Sequence, residues 1–200
     1  MSFNKFKLSV FIVVLVLLAC RNSEASNLLD SAALANEKLY MSISDGTSEP
    51  DKVYKLCMGG REMTDLSDEI LVFPNLQEIN ISQNNLVSLP DFICNLNNLE
   101  EIRMSANFLR ELPSCLPQLS NLKRLDMSGN INLNWEKTWL LICNITSLEE
   151  LDLSYNDITF YPPEIMKLKN LKKLDLSGNK ITKDDLMNLK KLYPNIEINY

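Results

Sequence analysis

The side chains of this chain that could carry out acid–base or nucleophilic chemistry are its carboxylates, lysines and five cysteines, because its 200 residues include no histidine. Histidine is the commonest general base near neutral pH and a frequent metal ligand, so its absence argues against an enzyme or a zinc site. Adjacent acids such as Glu149 and Glu150 are the residue types that glycoside hydrolysis needs. Their position recurs along the chain and is predicted to face solvent, so we expect no catalytic residue, no metal and no cofactor.

The first 20 residues have the three parts of a secretory signal peptide. Lys5 and Lys7 give a basic start, residues 8–18 form an apolar run of 11 residues, and the small residue Ala19 precedes the expected cleavage site. The apolar run is shorter than the roughly 20 residues that a helix needs to span a bilayer. This segment therefore predicts a signal peptide at residues 1–19 that is absent from the mature chain.

The end of this segment, Leu17-Leu18-Ala19-Cys20, resembles the lipobox of bacterial lipoproteins. The resemblance implies that Cys20 becomes the first mature residue and carries a diacylglyceryl thioether, with a further acyl chain such as palmitate on its amine. Two or more acyl chains anchor a protein stably in a membrane, whereas one holds it only marginally. The alternative is ordinary cleavage after Ala25, which discards Cys20.

The charge balance argues against nucleic acid as a partner. The whole chain has a net charge of −6 from 20 bases and 26 acids, and the signal peptide contains two of the bases and no acid. The mature chain would therefore carry 20 − 2 = 18 bases against 26 acids, a net charge of −8. Such a chain repels phosphate backbones.

One nine-residue phrase, LEELDLSYN from Leu148 to Asn156, recurs along the chain in altered form. Its other copies begin at residues 76, 99, 122 and 171, so the spacings are 23, 23, 26 and 23 residues. A further step of 23 residues back from Leu76 reaches Val53, where VYKLCMGGR fits the same frame with Arg61 in place of the asparagine. The chain therefore contains six units, and repeats of this length indicate a solenoid.

The units share the pattern L-x-x-L-x-L-x-x-N, and in three of them apolar residues follow the asparagine at 2, 5, 9 and 12 places. The L-x-L core alternates with period two, which predicts a short strand with one buried face. Over residues 53–200 the pattern resembles that of leucine-rich repeat proteins of the typical 23-residue class. The resemblance implies an α/β fold: a short horseshoe-shaped solenoid of about six repeats, with a parallel sheet on its concave face.

The asparagine of each repeat lies where the chain leaves the strand. In the family that the pattern resembles, its side chain is buried and bonds to backbone groups of adjacent units. We predict that these residues belong to the scaffold, because they satisfy backbone groups that the turn would leave unpaired. They are Asn84, Asn107, Asn130, Asn156 and Asn179.

An open solenoid exposes its core at both ends and needs caps. Residues 27–43 are predicted to form one N-terminal capping helix, and a helix on the membrane surface is the alternative. Its apolar stripe comprises Leu28, Ala32, Ala35, Leu39 and Ile43. We therefore divide the mature chain into a lipid-anchored N-terminus with its capping helix, residues 20–52, and a repeat domain, residues 53–200.

The C-terminal end is predicted to close with a helix and a strand. Thr182 and Asp185 resemble a capping box that opens a helix running to about Tyr193. The sequence YPNIEINY then predicts a last strand with Ile196 and Ile198 pointing inward.

The fourth unit, residues 122–147, is 26 residues long and contains both tryptophans, Trp135 and Trp139. It predicts a longer convex helix whose tryptophans pack as core. A bulge that binds a partner is the alternative.

Four cysteines remain after Cys20. Cys94 and Cys143 occupy the same position two units apart, roughly 10 Å, which is too far for a disulfide. Cys94 and Cys115, in adjacent units, are the one conceivable pair. The spacing fits no disulfide or zinc framework, so the prediction is that the convex cysteines are buried apolar side chains, while Cys57 faces the concave side.

Strand residues that point away from the core form the predicted binding surface. This surface mixes acids with bases at fixed spacing, which suits docking of a protein by charge complementarity. Tyr155 is included because its counterparts in other units are small or polar. The predicted partner-binding residues, together with the flanking Lys55 and Cys57, are Glu78, Asn80, Glu101, Arg103, Arg124, Asp126, Glu150, Asp152, Tyr155, Lys173 and Asp175.

These observations favour a non-enzymatic protein–protein interaction module, a leucine-rich repeat lipoprotein displayed on the bacterial cell envelope. We expect a monomer that is lipid-anchored to the outer membrane, on its periplasmic or its surface side. One alternative is a secreted eukaryotic glycoprotein, because Asn80 and Asn144 begin glycosylation sequons. The other is a carbohydrate-binding or structural component of the envelope.

Overall fold

The computed structural model of the protein describes residues 28–200, in which eight short parallel strands join side by side in chain order into one sheet. The strands are Leu39–Tyr40 (β1), Lys55–Cys57 (β2), Glu78–Asn80 (β3), Glu101–Arg103 (β4), Arg124–Asp126 (β5), Glu150–Asp152 (β6), Lys173–Asp175 (β7) and Glu197–Asn199 (β8). Strands β2 to β7 belong to the six predicted units. The predicted signal peptide, Cys20 and the alternative cut after Ala25 lie outside the described residues.

The L-x-L core of each unit sets the register of the sheet. The middle residue of each strand pairs with the middle residue of the next, as Leu56 does with Ile79 and Ile79 with Ile102. In β2 to β7 these middle side chains are at most 2% exposed. Since no unit buries its apolar face alone, each depends on its neighbours. The predicted α/β solenoid with a parallel sheet on its concave face is confirmed.

The second half of each unit returns along the convex side and covers the buried face of the sheet. Its short 3₁₀ helices are Pro50–Lys52, Asp68–Val72, Asp91–Asn95, Leu116–Gln118 and Pro163–Lys167. The α-helices are Ser31–Ala35 (α1), Ile43–Gly46 (α2), Trp135–Ile142 (α3) and Lys183–Leu192 (α4). Pro90 and Pro162 cap two of the 3₁₀ helices, where a missing N–H costs no intrahelical bond.

A row of buried asparagines joins neighbouring units. The Nδ2 of Asn84 donates to the carbonyls of Met58 and Ile81, each at 2.9 Å. Its Oδ1 accepts from the backbone N–H groups of Arg61 and Met63, each at 3.0 Å. Equivalent bonds to the preceding unit are made by Asn107, Asn130, Asn156 and Asn179. The predicted scaffold role is confirmed: within residues 28–200, no buried side-chain nitrogen or oxygen lacks a hydrogen-bond partner.

The single capping helix predicted for residues 27–43 is wrong. The chain forms α1, then the edge strand β1, then α2. Tyr40 pairs with Leu56, which covers the open edge of β2 and buries the Tyr40 ring to 4% exposure. Leu34 supplies the buried residue of α1, and the five-residue α1 is also too short for the membrane-surface alternative. The members of the predicted stripe that stay exposed are Ala32, Ala35 and Leu39.

The side chain of Gln77 fixes the place where the chain enters the domain. Its Oε1 accepts from the N–H of Leu29 at 2.9 Å, and its Nε2 donates to the carbonyl of Leu29 at 3.0 Å. Gln77 is fully buried and directly precedes β3. The start of the described chain is therefore held at the amino end of this strand.

The C-terminal cap follows the prediction. The Thr182 hydroxyl oxygen accepts from the N–H of Asp185 at 3.2 Å, and the hydroxyl donates to the Asp185 carboxylate at 2.7 Å. After α4 the chain forms β8, where Ile198 is buried and the preceding Ile196 is partly buried. The helix and the last strand thus close the exposed end of the core.

The long fourth unit forms the predicted convex helix, α3. Trp139 is 1% exposed, and its indole N–H donates to the Phe160 carbonyl at 3.2 Å. Trp135 is partly buried, and its indole N–H donates to the Asn156 carbonyl at 3.1 Å. Both tryptophans therefore join the fourth unit to the fifth, which confirms that they pack as part of the core.

The prediction of unpaired cysteines is wrong for one pair. Cys94 and Cys115 form a disulfide with a Cα–Cα separation of 6.1 Å, because these convex positions of adjacent units, 21 residues apart along the chain, come within disulfide reach. Cys143 is a buried thiol, as predicted, and burial raises its pKa to about 11. Cys57 is a half-buried thiol on β2.

Candidate protein-binding face

The side chains that leave the sheet on its concave side form two rows, from the first and the last residue of each strand. The first row is Lys55, Glu78, Glu101, Arg124, Glu150 and Lys173, and the second row is Cys57, Asn80, Arg103, Asp126, Asp152 and Asp175. We call these residues the concave face. Neighbouring strands lie about 4.8 Å apart, so the register fixes the spacing of every charge. All the predicted binding residues belong to this face except Tyr155.

In the amino-terminal half of the concave face, charged side chains form a network of ion pairs with one another. The Nε of Arg124 lies 2.5 Å from a Glu101 carboxylate oxygen, and its Nη2 lies 3.3 Å from a Glu78 oxygen. Arg103 forms an ion pair with the same Glu101. The Glu101 side chain is only 6% exposed, so it supports the two arginines and offers a partner little surface.

This network also affects the protonation of its members. Burial, followed by the negative charge of Glu101, raises the pKa of the Glu78 carboxyl above its ordinary value. Burial by itself would lower the pKa of Arg124, but the hydrogen bond and the charge of Glu101 raise it. Arg124 therefore stays positively charged, and it forms its ion pairs with acids of its own chain.

The carboxyl-terminal half of the face carries a row of three oriented aspartates. One oxygen of Asp126 accepts from the N–H and the hydroxyl of Ser128, at 3.0 and 2.7 Å. Asp152 makes the same pair of bonds with Ser154, and Asp175 with Ser177. Burial would raise the pKa of Asp175, but the hydrogen bonds from Ser177 and the Asn199 amide outweigh it and hold that pKa below its usual value. Asp175 is therefore ionised near neutral pH.

A depression of about 220 Å³ lies over strands β4 to β7. Small-molecule sites are commonly about 300–1,000 Å³ and mostly apolar, so this smaller polar depression suits side chains of a partner better than a drug-like ligand. Its charged lining consists of Glu101, Arg103, Arg124, Asp126, Glu150, Asp152, Lys173 and Asp175.

Tyr155 lies at the carboxyl edge of the sheet, directly after Ser154. Its φ of 55° is in the left-handed region, where Gly129 and Gly178 stand in the neighbouring units. The ring lies against Gly178, since a Cβ there would come within 2.5 Å of a ring atom, yet the residue remains 66% exposed. The structure thus holds a large aromatic ring in place at the rim of the concave face.

Sequence reasoning missed two pairs of exposed apolar residues. Leu39 extends the first concave row through its pairing with Lys55, and Met41 follows β1; each is 49% exposed. Phe108 and Ile131 follow the scaffold asparagines of adjacent units and are 53% and 61% exposed. Only Phe108 and Ile131 could have been found from the sequence, because the residue directly after the asparagine is polar in the second, fifth and sixth units.

The adjacent acids Glu149 and Glu150 do not form a carboxylate pair. Glu149 precedes β6 and pairs with Lys172 at 2.5 Å, whereas Glu150 belongs to the concave face. Within residues 28–200 there is no group of three or more histidine, cysteine or acidic side chains that could hold a metal ion. None of the helices described there is long and apolar enough to cross a membrane.

Comparison with family models matches "Leucine rich repeat" to residues 64–131 and "Leucine Rich repeats (2 copies)" to residues 146–191. The chain carries leucine-rich repeats. Such repeats are generally non-enzymatic modules of protein interaction. No curated protein matches the chain.

Several solved leucine-rich repeat structures are similar to the chain. An internalin of Listeria monocytogenes is 21% identical, with a TM-score of 0.61, over 74% of this chain and 42% of that one. A leucine-rich repeat protein of Leptospira interrogans is 24% identical, with a TM-score of 0.48, over 77% and 51%. The ectodomain of a receptor kinase from Arabidopsis thaliana is 29% identical, with a TM-score of 0.45, over 64% and 68%. The chain spans only about half the length of the two bacterial proteins, and the internalin likeness shows the fold alone.

Proposed function

We propose that this chain is an exported leucine-rich repeat lipoprotein of a bacterial cell envelope, and that it binds a protein partner on its concave face. The observation that carries the proposal is the concave face itself, an array of charged side chains that the sheet holds at fixed spacing and that, apart from the buried Glu101, stay partly or fully exposed. Its shape and fixed charge spacing suit a protein surface, because complementary charges steer encounter and set register.

Two observations support export. The first is the predicted signal peptide with its lipobox cysteine. The second, independent of it, is the Cys94–Cys115 disulfide, since disulfides persist in oxidising compartments and are rare in the reducing cytosol. Both fit a chain that matures outside the cytoplasm.

The entry point of the chain limits how far the domain can stand from a lipid anchor. Leu29 is held by Gln77 and lies nine residues after Cys20. A fully extended chain spans at most about 3.5 Å per residue, so the tether reaches roughly 30 Å. A lipid on Cys20 would keep the repeat domain next to the membrane, the expected one being the outer membrane.

Site-specific photo-crosslinking in intact cells tests the partner. A photoreactive amino acid replaces Arg103 or Asp152 on the concave face, and Lys137 on the exposed surface of α3 serves as the matched control. We expect a discrete crosslinked protein from the two concave positions and none from Lys137. A crosslink that forms only at Lys137 would assign binding to the convex side and refute the proposal.

Metabolic labelling with an alkyne analogue of palmitate tests the anchor. We expect label on the wild-type chain and on the matched variant Cys57→Ala, but none on Cys20→Ala, which should also move to the soluble fraction. An unlabelled wild-type chain whose mature N-terminus lies after Ala25 would exclude the lipid anchor.

A further inference from the structure

The two halves of the concave face differ in how their charges are neutralised. In the amino-terminal half, Glu78 and Glu101 have arginine partners from their own chain. In the carboxyl-terminal half, no ion pair within residues 28–200 involves Glu150, Asp152 or Asp175. The acids of the first half are therefore paired with arginines. On β5 to β7 four acids (Asp126, Glu150, Asp152 and Asp175) stand with Lys173, whose charge lowers the pKa of Asp175, and with Arg124, whose pKa the charge of Glu150 helps to raise. The acids of these strands outnumber their bases, so the second half presents net negative charge to a partner.

The aspartates of this second half are oriented before any partner arrives. The serine bonds at one oxygen of Asp126 and Asp152 fix each carboxylate and leave its other oxygen without a hydrogen bond from residues 28–200. Fixing the acceptors in advance reduces the entropy that binding would otherwise lose. These carboxylates are therefore ready to accept bonds from donors above the sheet.

The aromatic ring of Tyr155 is fixed at the rim of the same group of carboxylates. The backbone N–H of Tyr155 donates to the Ser177 carbonyl at 2.9 Å, and the Ser177 hydroxyl donates to Asp175. The residue before it, Ser154, donates to Asp152. An exposed ring at the edge of the sheet, in a segment whose serines bond to Asp152 and Asp175, favours a cation with a flat face, since the ring attracts the charge and the acids accept its N–H groups.

We propose that the partner brings an extended segment with arginine side chains across strands β5 to β7, where the guanidinium groups bond to the aspartate row and one of them stacks on Tyr155. Arginine fits better than lysine because its planar fork matches carboxylates and stacks on aromatic rings, whereas a lysine ammonium is a compact charge. The inference rests on the proposed function and names the chemistry of the partner at that same face.

The spacing of the sheet indicates how the arginines are arranged. The aspartate row crosses three neighbouring strands, roughly 10 Å at about 4.8 Å per strand. Alternate residues of an extended segment point to the same side and lie roughly 6.7 Å apart. Two arginines separated by one residue therefore reach the row together, with their guanidinium groups over the depression.

The probe is a dye-linked peptide, acetyl-GSRTRSG, measured by fluorescence anisotropy against the purified full-length protein at low salt. The lysine peptide GSKTKSG carries the same dye and charge. We expect the arginine peptide to bind more tightly, and Asp152→Asn/Asp175→Asn to weaken it at least about tenfold, as loss of charge-assisted bonds predicts. The exposed convex pair Glu136→Gln/Glu164→Gln changes net charge equally and should leave binding within about twofold, because it affects only the screened long-range field.

Tyr155 gives a second readout. We expect Tyr155→Ala to weaken the arginine peptide about two- to fivefold, the range of an exposed cation–π contact, and Tyr155→Phe to restore it. Equal losses for the concave and convex double variants, equal affinity for the two peptides, or no binding at millimolar peptide would each refute the inference. The crosslinking result stays separate: a partner captured at Asp152 without peptide binding would keep the proposed function and reject arginine.

Discussion

Replacing Asn107 by alanine removes a side chain that joins two repeat units. Asn107 is 4% exposed, and its Oδ1 accepts from the Leu86 N–H at 3.1 Å. The Met104 carbonyl accepts from the Nδ2 of both Asn107, at 3.1 Å, and Asn130, at 3.0 Å. In Asn107→Ala, the Met104 carbonyl keeps its hydrogen bond from Asn130. The Leu86 N–H, however, loses its acceptor. One buried unsatisfied group costs about 1–3 kcal/mol, so we expect a loss of about 2 kcal/mol in the free energy of unfolding.

The shared carbonyl makes the double variant worse than the sum of its parts. Asn107→Ala/Asn130→Ala takes both side-chain donors from Met104, a loss that neither single variant causes. We expect its loss of stability to exceed the sum of the single losses by about 1 kcal/mol, within the range for residues of one hydrogen-bond network. The matched control is Asn84→Ala/Asn156→Ala, whose side chains share no carbonyl and whose effects should add within about 0.5 kcal/mol.

Urea unfolding followed by circular dichroism measures all four single variants and both double variants. The slope of free energy against urea should stay constant across the set, because a change in slope would indicate that repeats unfold separately. Additive losses for Asn107 and Asn130 would refute the shared role of the Met104 carbonyl. A single loss of less than about 0.5 kcal/mol would show that water replaces the lost bonds.

Three further changes test other contacts of the fold. The change Cys94→Ser/Cys115→Ser should lower stability by about 3 kcal/mol, the loop-closure value for a separation of 21 residues, and dithiothreitol should then have no further effect on urea unfolding. Trp139→Ala should cost about 3–5 kcal/mol in the same assay, because it empties a buried site. Gly178→Ala should cost about 2 kcal/mol, from the left-handed backbone and the Tyr155 ring; in a Tyr155→Ala background the cost should fall to about 1 kcal/mol.

Leu140→Ala, on the exposed side of α3, should change stability by less than about 0.5 kcal/mol; a loss equal to that of Trp139→Ala would mean that burial does not decide the effect. Wild-type protein that loses no stability in dithiothreitol would show that the disulfide contributes nothing. If Gly178→Ala costs the same with and without the Tyr155 ring, the ring does not lie against Gly178.

The sequence predicted the repeating parts of this fold because the same physical requirement recurs in each unit. Residues of the same type as Leu151, Leu153 and Asn156 recur at the same positions in the other units. The environment at each position is the same in every unit, so it requires the same kind of side chain. The amino-terminal cap has no such repetition. There the spacing of apolar residues, about 3.6 residues, suggested one helix. In the structure Tyr40 instead pairs with β2 and covers the open edge of the sheet, a long-range contact that local periodicity cannot reveal.

The concave face was also predicted only in part. Alternation along each strand places Asp126, Asp152 and Asp175 on one side of the sheet without any structure. Which charges are already neutralised depends on side-chain reach between units, as in the contact of Arg124 with Glu78 two strands away. The Cys94–Cys115 disulfide could not be predicted either, because the spacing of the two cysteines along the chain does not give the distance between the convex turns that hold them.

The most direct test of partner binding on the concave face is carboxylate footprinting, in which a carbodiimide couples glycine ethyl ester to accessible acids and mass spectrometry reads each site. Labelling in native membranes is compared with labelling of the purified protein. We expect labelling of Glu150 and Asp152 to fall severalfold in membranes, while labelling of the convex Glu136 stays unchanged. Equal labelling of Asp152 in both preparations, or protection confined to Glu136, would contradict it.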